Sequence, residues 1–307
     1  MLKAFHRSRS QYGARDELFT IAPSRPEFCI DNVTFLTNLQ LCIGQPPTNA
    51  PSPTKCSSTH LYGPDQGCGR PVGSQLDYMH HSLSCTAQVK RTMNTRHNMI
   101  VQQACAILAH AGATGLVMEP KSILDNKART TPDIEYAGFP TASNLFSTSG
   151  SLDVSVTHPA APSYRKQAAI VALHAADTRD RVKNDKYLNK FKNQGRDFSP
   201  LVFETTGAWA RSTTDFFLRL VRHTGLYGNG QPILSPAQTR SPLSTYNMPA
   251  GPGLLRFLRR VFAVVIARGN AHIITRALQQ APCAATCPPP MAADLSPSPP
   301  PLFLRED

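Results

Sequence analysis

The spacing of apolar and polar residues predicts an alternation of helices and strands in the middle of the chain. Across residues 98–110, apolar side chains recur every three or four positions, which is typical of an amphipathic helix. A short strand is expected next, at 116–118. Residues 132–137 and 151–157 alternate between apolar and polar side chains, so each is predicted to be a half-buried strand with one polar face.

The following residues complete a sheet with helices on its flanks. A run without internal Gly or Pro predicts one helix from 164 to about 192, and an apolar strand is expected at 198–205. The long helix between the strands implies a parallel crossover. With a last helix at 213–222, the sequence predicts an α/β fold in which a mixed β-sheet is flanked by helices.

The chain outside this region differs in composition. Two further helices are expected, at 33–43 and 254–279. The second is basic on one side, but its polar face is thin for binding at a membrane surface, so packing against the domain is favoured. Some of the 27 prolines form clusters at 46–53 and at 282–301, where a disordered linker and tail are expected. The predicted divisions are a linker-like segment with one helix (1–55), a loop containing Cys and His (56–95), the folded domain (96–226), a linker (227–253), a basic amphipathic helix (254–280) and a disordered Pro-rich tail (281–307).

The formal net charge of +12 and the isoelectric point near 9.5 favour an anionic partner, and DNA is the simplest candidate. The eight cysteines form no regular disulfide framework, and the start of the chain lacks the apolar core of a signal peptide. The longest apolar run, 261–267, is too short to span a bilayer. We therefore expect an intracellular, nuclear protein that binds DNA. Neither a membrane nor a small-molecule cofactor is expected among its partners.

Two acidic residues are placed for metal chemistry. Asp133 and Asp153 lie near the starts of the two alternating strands, both on the polar face, and neighbouring strands would bring their carboxylates close together. Carboxylates at such a distance repel each other unless a cation joins them, and hard divalent ions prefer oxygen ligands. The pair therefore predicts a site for Mg²⁺ (or Mn²⁺) that activates water and stabilises a phosphoryl transition state.

The helix predicted at 164–192 supplies positive charge. Lys183 and Lys186 lie about one turn apart and share a face, so either could point at the phosphate or at the attacking water. For a single lysine or aspartate a solvated surface position is the more common explanation, and the combination carries the catalytic hypothesis. The remaining cations expected to follow the DNA backbone are Arg179, Arg181, Lys190 and Lys192.

Six short motifs follow one another along the chain: TRHNMI (95–100), VMEP (117–120), TPDI (131–134), LDVSVTHP (152–159), KNDKY (183–187) and FSPLVFETTGAW (198–209). This series resembles the restriction-like endonuclease of site-specific non-LTR retrotransposons, a member of the PD-(D/E)xK group that lies C-terminal to the reverse transcriptase. The resemblance extends over roughly residues 30–275. No Tyr-x-Asp-Asp polymerase motif occurs, so the chain resembles a truncated or remnant fragment of such a polyprotein, without the reverse transcriptase.

The resemblance implies a restriction-endonuclease-like core and assigns roles to particular positions. Asp133 matches the acidic residue of the Pro-Asp motif, Asp153 matches the second acidic ligand, and the lysine run at 183–187 matches the catalytic-lysine helix. Ser155 stands where the basic pattern has its lysine, so the lysine is expected from the helix instead. Glu204 falls in the last motif, where it either touches the site or forms a salt bridge with the lysine helix.

The same motifs imply contacts with the DNA backbone. Arg96 lies in the first motif and is expected to contact DNA. His97 beside it is expected to cap the helix start or to contact a phosphate. The family has an arginine directly before its Pro-Asp motif. Here that position is Thr131, and Arg129 lies slightly further upstream as the candidate phosphate contact.

The resemblance also implies a zinc knuckle, which needs a close pair of cysteines followed by a histidine and a cysteine. Cys68, His80 and Cys85 match three of these positions, and Cys56 is the candidate for the fourth, although it lies far from Cys68 in sequence. A structural zinc site requires all four of its ligands. The sequence therefore favours a degenerate loop over a Zn²⁺ site at these residues.

Three functions stay open from the sequence. The first is a divalent-metal-dependent DNA endonuclease, active or inactivated, that hydrolyses phosphodiester bonds. The alternative is a non-catalytic nucleic-acid-binding remnant of a retrotransposon open reading frame, whose binding would weaken with salt and ignore Mg²⁺. The third is a relic without selected activity.

Overall fold

The computed structural model describes residues 2–11, 28–46, 55–56, 68–85, 87, 92–120, 131–138, 149–226 and 252–280. Its helices are α1 (Leu2–Arg9), α2 (Asn32–Ile43), α3 (Gln75–Ser82), α4 (Asn94–His110), α5 (Arg165–Ala168), α6 (His174–Lys192), α7 (Arg211–Leu226) and α8 (Pro252–Gln280). Its strands are β1 (Thr114–Met118), β2 (Ile134–Ala137), β3 (Ser149–Thr157) and β4 (Asp197–Glu204). Arg129, the predicted tail at 281–307 and nearly all of the predicted linker at 227–253 lie outside the described residues.

The four strands form one sheet in the order β1-β2-β3-β4. The pairs β1–β2 and β2–β3 are antiparallel, whereas β3 and β4 are parallel. Ile134 lies opposite Leu152, and Asp153 lies opposite Pro200. The predicted α/β class, the mixed sheet and the parallel crossover between the last two strands are therefore confirmed.

One face of the sheet packs against the main hydrophobic core. Ile134, Leu152 and Leu201 point into this core from three strands, and all three are fully buried. Alternate residues of each strand point to the same face, so each strand contributes one row of side chains to the core. Helices α4, α7 and α8 complete the core. The ring of Trp209 meets that of Phe262 edge-on, with centroids 5.8 Å apart, and buried aromatic pairs of this kind contribute about 1 kcal/mol beyond their buried area.

Helix α8 is buried on most of its circumference, which corrects the expectation of a basic amphipathic helix. It shares the main core with α4 and the sheet, so it packs with residues from the predicted domain at 96–226. By length and mean hydropathy, 1.3 over an 18-residue window, Gly253–Gln279 would suffice to cross a membrane, and 72% of that window is buried inside the protein. Packing in the core accounts for its apolar composition.

Helix α6 covers the face of the sheet that the alternating pattern predicted to be polar. Ser151, Asp153 and Ser155 are buried on this face. Further along, the ring of Phe191 stacks on that of Phe198 in β4, with centroids 5.3 Å apart. Strand β3 is therefore buried on both faces rather than half-buried, and its polar side chains lie in a layer between sheet and helix.

The single helix predicted at 164–192 is interrupted. Leu173 adopts a left-handed backbone conformation, with φ 59°, and α6 begins at the next residue. This conformation costs about 1–2 kcal/mol for a residue other than glycine. The turn brings the backbone N–H of Ala176 to within 3.2 Å of Oε1 of Glu204, so a buried tertiary hydrogen bond offsets part of that cost.

Helices α1 and α3 were not expected from the sequence. Helix α3 begins after Ser74, whose hydroxyl oxygen accepts the backbone N–H of Asp77 at 3.1 Å. The carboxylate of Asp77 in turn accepts the N–H of Gly73 at 3.2 Å, so the two side chains cap the helix reciprocally. The Ser-x-x-Asp spacing at 74–77 was therefore a signal for a helix inside the segment interpreted as a loop.

Candidate active site and candidate metal centre

Asp133, which directly precedes β2, lies beside Asp153 in the middle of β3. The backbone N–H of Asp133 donates to the carbonyl of Leu152 at 2.9 Å, and Oδ2 of Asp133 accepts the N–H of Val154 at 2.6 Å. These bonds hold Asp133 beside Asp153, which is 3% exposed. Burial raises the pKa of Asp153, the charge of Lys183 opposes this increase, and the charge of Asp133 adds to it.

Of the two candidate lysines, the structure brings Lys183 to the carboxylates. Nζ of Lys183 contacts Oδ2 of Asp153, and the two side chains are 13% and 4% exposed. Lys186 instead donates to the hydroxyl of Tyr187 at 3.0 Å, with its ammonium 4.6 Å from the centroid of that ring. We refer to Asp133, Asp153 and Lys183 as the carboxylate site.

His97 joins the carboxylate site, a role that the sequence pattern did not indicate. Its Nε2 lies 3.1 Å from Oδ2 of Asp133, and its Nδ1 lies 3.3 Å from Oδ1 of Asn98. Burial disfavours the charged imidazolium, but the hydrogen bonds to Asp133 and Asn98 and the charges of Asp133 and Asp153 outweigh it, so the pKa of His97 is raised. The feature of the sequence that could have pointed to His97 as a site residue was its position in the motif at 95–100.

Glu204 lies apart from the carboxylate site, which corrects both roles considered for it. Thr157, rather than Asp153, lies opposite Glu204 in the β3–β4 register. The side chain of Glu204 is 1% exposed, accepts the N–H of Ala176 at 3.2 Å and accepts a hydrogen bond from the hydroxyl of Ser8. Burial raises its pKa, and these two hydrogen bonds oppose the increase. Glu204 therefore fixes α1 and the start of α6 to the end of the sheet.

Arg96, predicted to contact DNA, has a structural role instead. Its side chain is 3% exposed, and Nη1 donates to Oδ1 of Asn270 at 2.9 Å. A guanidinium buried against α8 does not reach a phosphate on the surface. Arg179 lies nearer the carboxylate site, with its Nε 3.4 Å from Oγ of Ser155. The exposed cations of α6 include Arg181, Lys186, Lys190 and Lys192.

A second group of potential metal ligands comes from α3, from the residues that directly follow it and from two short stretches that precede it. The ligand atoms of Cys56, Cys68, His81 and Cys85, which we call the Cys/His cluster, all lie within 4.8 Å of one another. The Sγ atoms of Cys56 and Cys85 are 3.8 Å apart, and Sγ of Cys68 is 3.4 Å from Nε2 of His81. A tetrahedral zinc site has ligand-to-ligand edges of about 3.5–3.8 Å. The cluster could therefore hold a metal ion.

His81, not His80, completes this cluster, which corrects the ligand set expected from the motif. Consecutive residues of a helix point about 100° apart, so the two histidines face different surroundings. His80 points into the core, where its Nδ1 lies 3.1 Å from Nε2 of His158. Burial lowers the pKa of His80 to about 4, as is expected of a histidine held neutral in the interior.

Cys56 reaches the cluster through a backbone contact rather than through proximity in sequence. Lys55 and Pro71 form an antiparallel bridge, and the N–H of Cys56 donates to the carbonyl of Arg70 at 2.8 Å. The stretch that contains Cys68 is thereby placed beside Cys56. The expected pattern of two closely spaced cysteines misses this arrangement, because the two cysteines stand on opposite sides of the bridge.

No protein-family model matches the chain, and comparison with curated proteins gives no match. The described residues form an α/β protein with two separate groups of potential metal ligands, the carboxylate site and the Cys/His cluster.

Proposed function

We propose that this chain is a divalent-metal-dependent DNA endonuclease with a restriction-like catalytic site, related to the nucleases of non-LTR retrotransposons. The observation that carries the proposal is the convergence of three residues from separate elements. Asp133 precedes β2, Asp153 lies in β3, and Lys183 reaches Asp153 from α6. Two acids and a lysine at neighbouring elements are the set that the PD-(D/E)xK resemblance implies for phosphodiester hydrolysis.

The ligand set of the carboxylate site suits Mg²⁺ or Mn²⁺. Both ions prefer carboxylate and water oxygens, and two carboxylates leave coordination positions for water and phosphate. The side chains of Asp133 and Asp153 are 19% and 4% exposed, so water screens the mutual repulsion of their charges poorly. A bound divalent ion would supply charge neutralisation and a more acidic water.

The residues of the chain have separable tasks in such a reaction. The N–H of Val154 fixes Asp133 before any ligand arrives. The ammonium of Lys183 neutralises the charge of Asp153. With a cation at the carboxylates, the ammonium of Lys183 can turn toward the scissile phosphate. There it stabilises the negative charge that develops as a water oxygen bonds to phosphorus and a P–O ester bond breaks.

The outer surface of α6 is suited to the DNA backbone. Arg181, Lys186 and Lys190 are exposed on the same helix that carries Lys183, so the phosphate contacts and the catalytic lysine belong to one rigid element. The net charge of +12 adds a long-range attraction for polyanions. We expect DNA binding that weakens steeply as the salt concentration rises.

Nicking of supercoiled plasmid by the full chain tests the proposal. We expect nicking with Mg²⁺ or Mn²⁺, none with EDTA, and none by Asp153→Asn, which removes a carboxylate charge from the site. Asp185→Asn is the matched control, because Asp185 is an exposed aspartate of α6. Undiminished, metal-dependent nicking by Asp153→Asn would overturn the proposal.

A non-catalytic nucleic-acid-binding protein is the second candidate, and one observation favours it. The ammonium of Lys183 already neutralises Asp153, as it would in a site that has become a structural ion pair. In that case the exposed cations of α6 would bind DNA equally with and without Mg²⁺. Fluorescence anisotropy over a range of salt and Mg²⁺ concentrations decides between the two. Salt-sensitive, Mg²⁺-independent binding by a chain that does not nick would favour this candidate.

For the Cys/His cluster we propose a structural Zn²⁺ ion. Three thiolates and an imidazole select zinc over magnesium, and four protein ligands leave no open position for catalysis. Metal analysis should give about one zinc per chain, and Co²⁺ substitution should give the absorption of a tetrahedral thiolate site. Cys68→Ser should lose both signals, whereas Cys105→Ser, outside the cluster, should keep them. Zinc retained in full by Cys68→Ser would contradict this assignment.

A further inference from the structure

The carboxylate of Asp133 is held unevenly. Its Oδ2 accepts two hydrogen bonds, from the backbone N–H of Val154 at 2.6 Å and from Nε2 of His97 at 3.1 Å. Within the described part of the chain, both of its hydrogen bonds fall on this one oxygen. Oδ2 is therefore committed to the protein, and Oδ1 is left for a cation.

His97 is held in place for this contact by the start of α4. It lies in the first turn of that helix, and its Nδ1 is 3.3 Å from Oδ1 of Asn98. An oxygen faces each nitrogen of the ring, which clamps the imidazole with Nε2 aimed at Asp133. The side chain of His97 is 30% exposed, and it is not among the residues of α4 that pack in the core. Core packing therefore does not explain the contact.

We propose that His97 is a positioning residue of the carboxylate site, which orients Asp133 so that its Oδ1 ligates the divalent cation. This inference rests on the proposed metal-dependent function and identifies the residue that prepares its metal site. Groups that hydrogen-bond to a metal ligand typically contribute about 10-fold to 100-fold to metal affinity. Removal of the imidazole should weaken metal binding by that factor and leave the sheet folded.

The geometry also predicts which kinetic quantity changes. Both ring nitrogens of His97 are engaged, one by Asp133 and one by Asn98, so the imidazole acts through Asp133 rather than on the substrate. The metal concentration needed for half-maximal nicking should therefore rise in His97→Ala. The rate at saturating metal should change much less.

Binding of Mn²⁺ to the full chain, measured by isothermal titration calorimetry and by the electron paramagnetic resonance of free Mn²⁺, tests the inference without catalysis. Asp133→Ala defines the part of the signal that belongs to the site. His97→Ala should raise the dissociation constant about 10-fold to 100-fold. His97→Gln, whose amide can donate to Asp133, should recover most of the affinity. Gln102→Ala, at an exposed position of α4, is the matched control and should bind as the parent does.

The outcomes separate this inference from the nuclease function. Equal Mn²⁺ affinity of His97→Ala and the parent would overturn it, as would equal weakening in His97→Ala and His97→Gln together with a lowered melting temperature. If Mn²⁺ binding depends on His97 but the parent does not nick DNA, the inference stands and the nuclease function falls. If the parent nicks and the metal midpoint of His97→Ala is unchanged, the function stands and the inference falls.

Discussion

The carboxylate site and the Cys/His cluster differ in the cation that balances the negative charge of their ligands. In the carboxylate site, Lys183 places a cation of the chain against the buried Asp153. The ligands of the cluster are three cysteines and a histidine, whose atoms lie close enough together to hold a metal ion. We infer that the sheet folds around its site without a metal, whereas the cluster depends on one for its local structure.

The two sites also differ in how much secondary structure holds their residues in place. Asp153 lies within β3, which has neighbours on both sides of the sheet. Cys56 and Cys68 lie on short described stretches that one isolated bridge, between Lys55 and Pro71, brings together. Metal–ligand bonds would therefore supply much of the local stability around the cluster, while the sheet draws its stability from a large core.

Metal removal should produce the largest difference between the two regions. A strong zinc chelator is expected to expose the amides of α3 to hydrogen exchange, because the cluster joins α3 to the stretch that contains Cys56. The amides of β3 and β4 should stay protected. Structural zinc binding involves roughly 10 kcal/mol or more in small zinc domains, which sets the scale of the effect. Hydrogen exchange detected by mass spectrometry resolves the two regions.

Two variants check this result. Cys68→Ser should reproduce the effect of the chelator, and Cys105→Ser should not, although both cysteines have intermediate exposure. Equal protection of α3 with and without the chelator would mean that the cluster does not require a metal. The contrast with the carboxylate site would then disappear.

Lys183→Met should give the next largest effect. The substitution keeps most of the side-chain length but leaves Asp153 buried without its cation, a change that typically costs about 3–5 kcal/mol. Because a divalent ion can replace the ammonium, added Mn²⁺ should restore much of the lost free energy of unfolding. Urea denaturation with and without Mn²⁺ measures both quantities. Lys166→Met, at an exposed position of α5, serves as the control. Parental stability in Lys183→Met would show that the ion pair does not compensate Asp153.

Gly269→Ala tests the core role of α8 beside the carboxylate site. A Cβ atom at position 269 would overlap Cβ and Cγ of Arg96, the neighbour of His97 in α4. Overpacking of this kind costs about 1–3 kcal/mol. Gly253→Ala, at an exposed position of α8, should be neutral or stabilising by up to about 1 kcal/mol. Thermal denaturation compares the two, and a stabilised Gly269→Ala would mean that Arg96 does not pack against α8.

The range of the interaction that fixes each feature decides how far the sequence could predict it. Alternating residues of a strand face opposite ways, so a local pattern was enough to place Asp133 and Asp153 on one side of the sheet. The choice of Lys183 over Lys186 depends on how α6 crosses the sheet. His97 reaches Asp133 from a different helix. These are tertiary distances, and no local pattern contains them.

At the Cys/His cluster, too, tertiary packing decides which residue reaches the site. Motif spacing selected His80, but packing of α3 turns His81 toward the cysteines and His80 toward His158. The break at Leu173 is similar, because no Gly or Pro marks it and a buried contact of Ala176 with Glu204 favours it. Local propensity predicted where helices occur. Packing decided where they bend and which residues they direct to a site.

The smallest predicted effect concerns His158, which joins the sheet to α3. Its Nδ1 lies 2.7 Å from the hydroxyl of Thr205, and its Nε2 lies 3.1 Å from Nδ1 of His80. Burial, followed by the charges of His80 and Arg96, holds the pKa of His158 well below its ordinary value. The folded protein therefore keeps this imidazole neutral.

An unfolded histidine takes up a proton below about pH 6.5, so the contribution of His158 to stability is complete above that pH and is lost as the pH falls. Between about pH 7.5 and about pH 5.5 the loss should be about 1 kcal/mol. Urea denaturation of the parent and of His158→Gln at both pH values isolates it, because acid effects on the Cys/His cluster are common to both chains. If both show the same pH dependence, a neutral histidine pair does not join α3 to the sheet. The two regions would then be held together through α8, by contacts such as the hydrogen bond from the Tyr78 hydroxyl to the Ala277 carbonyl at 2.9 Å.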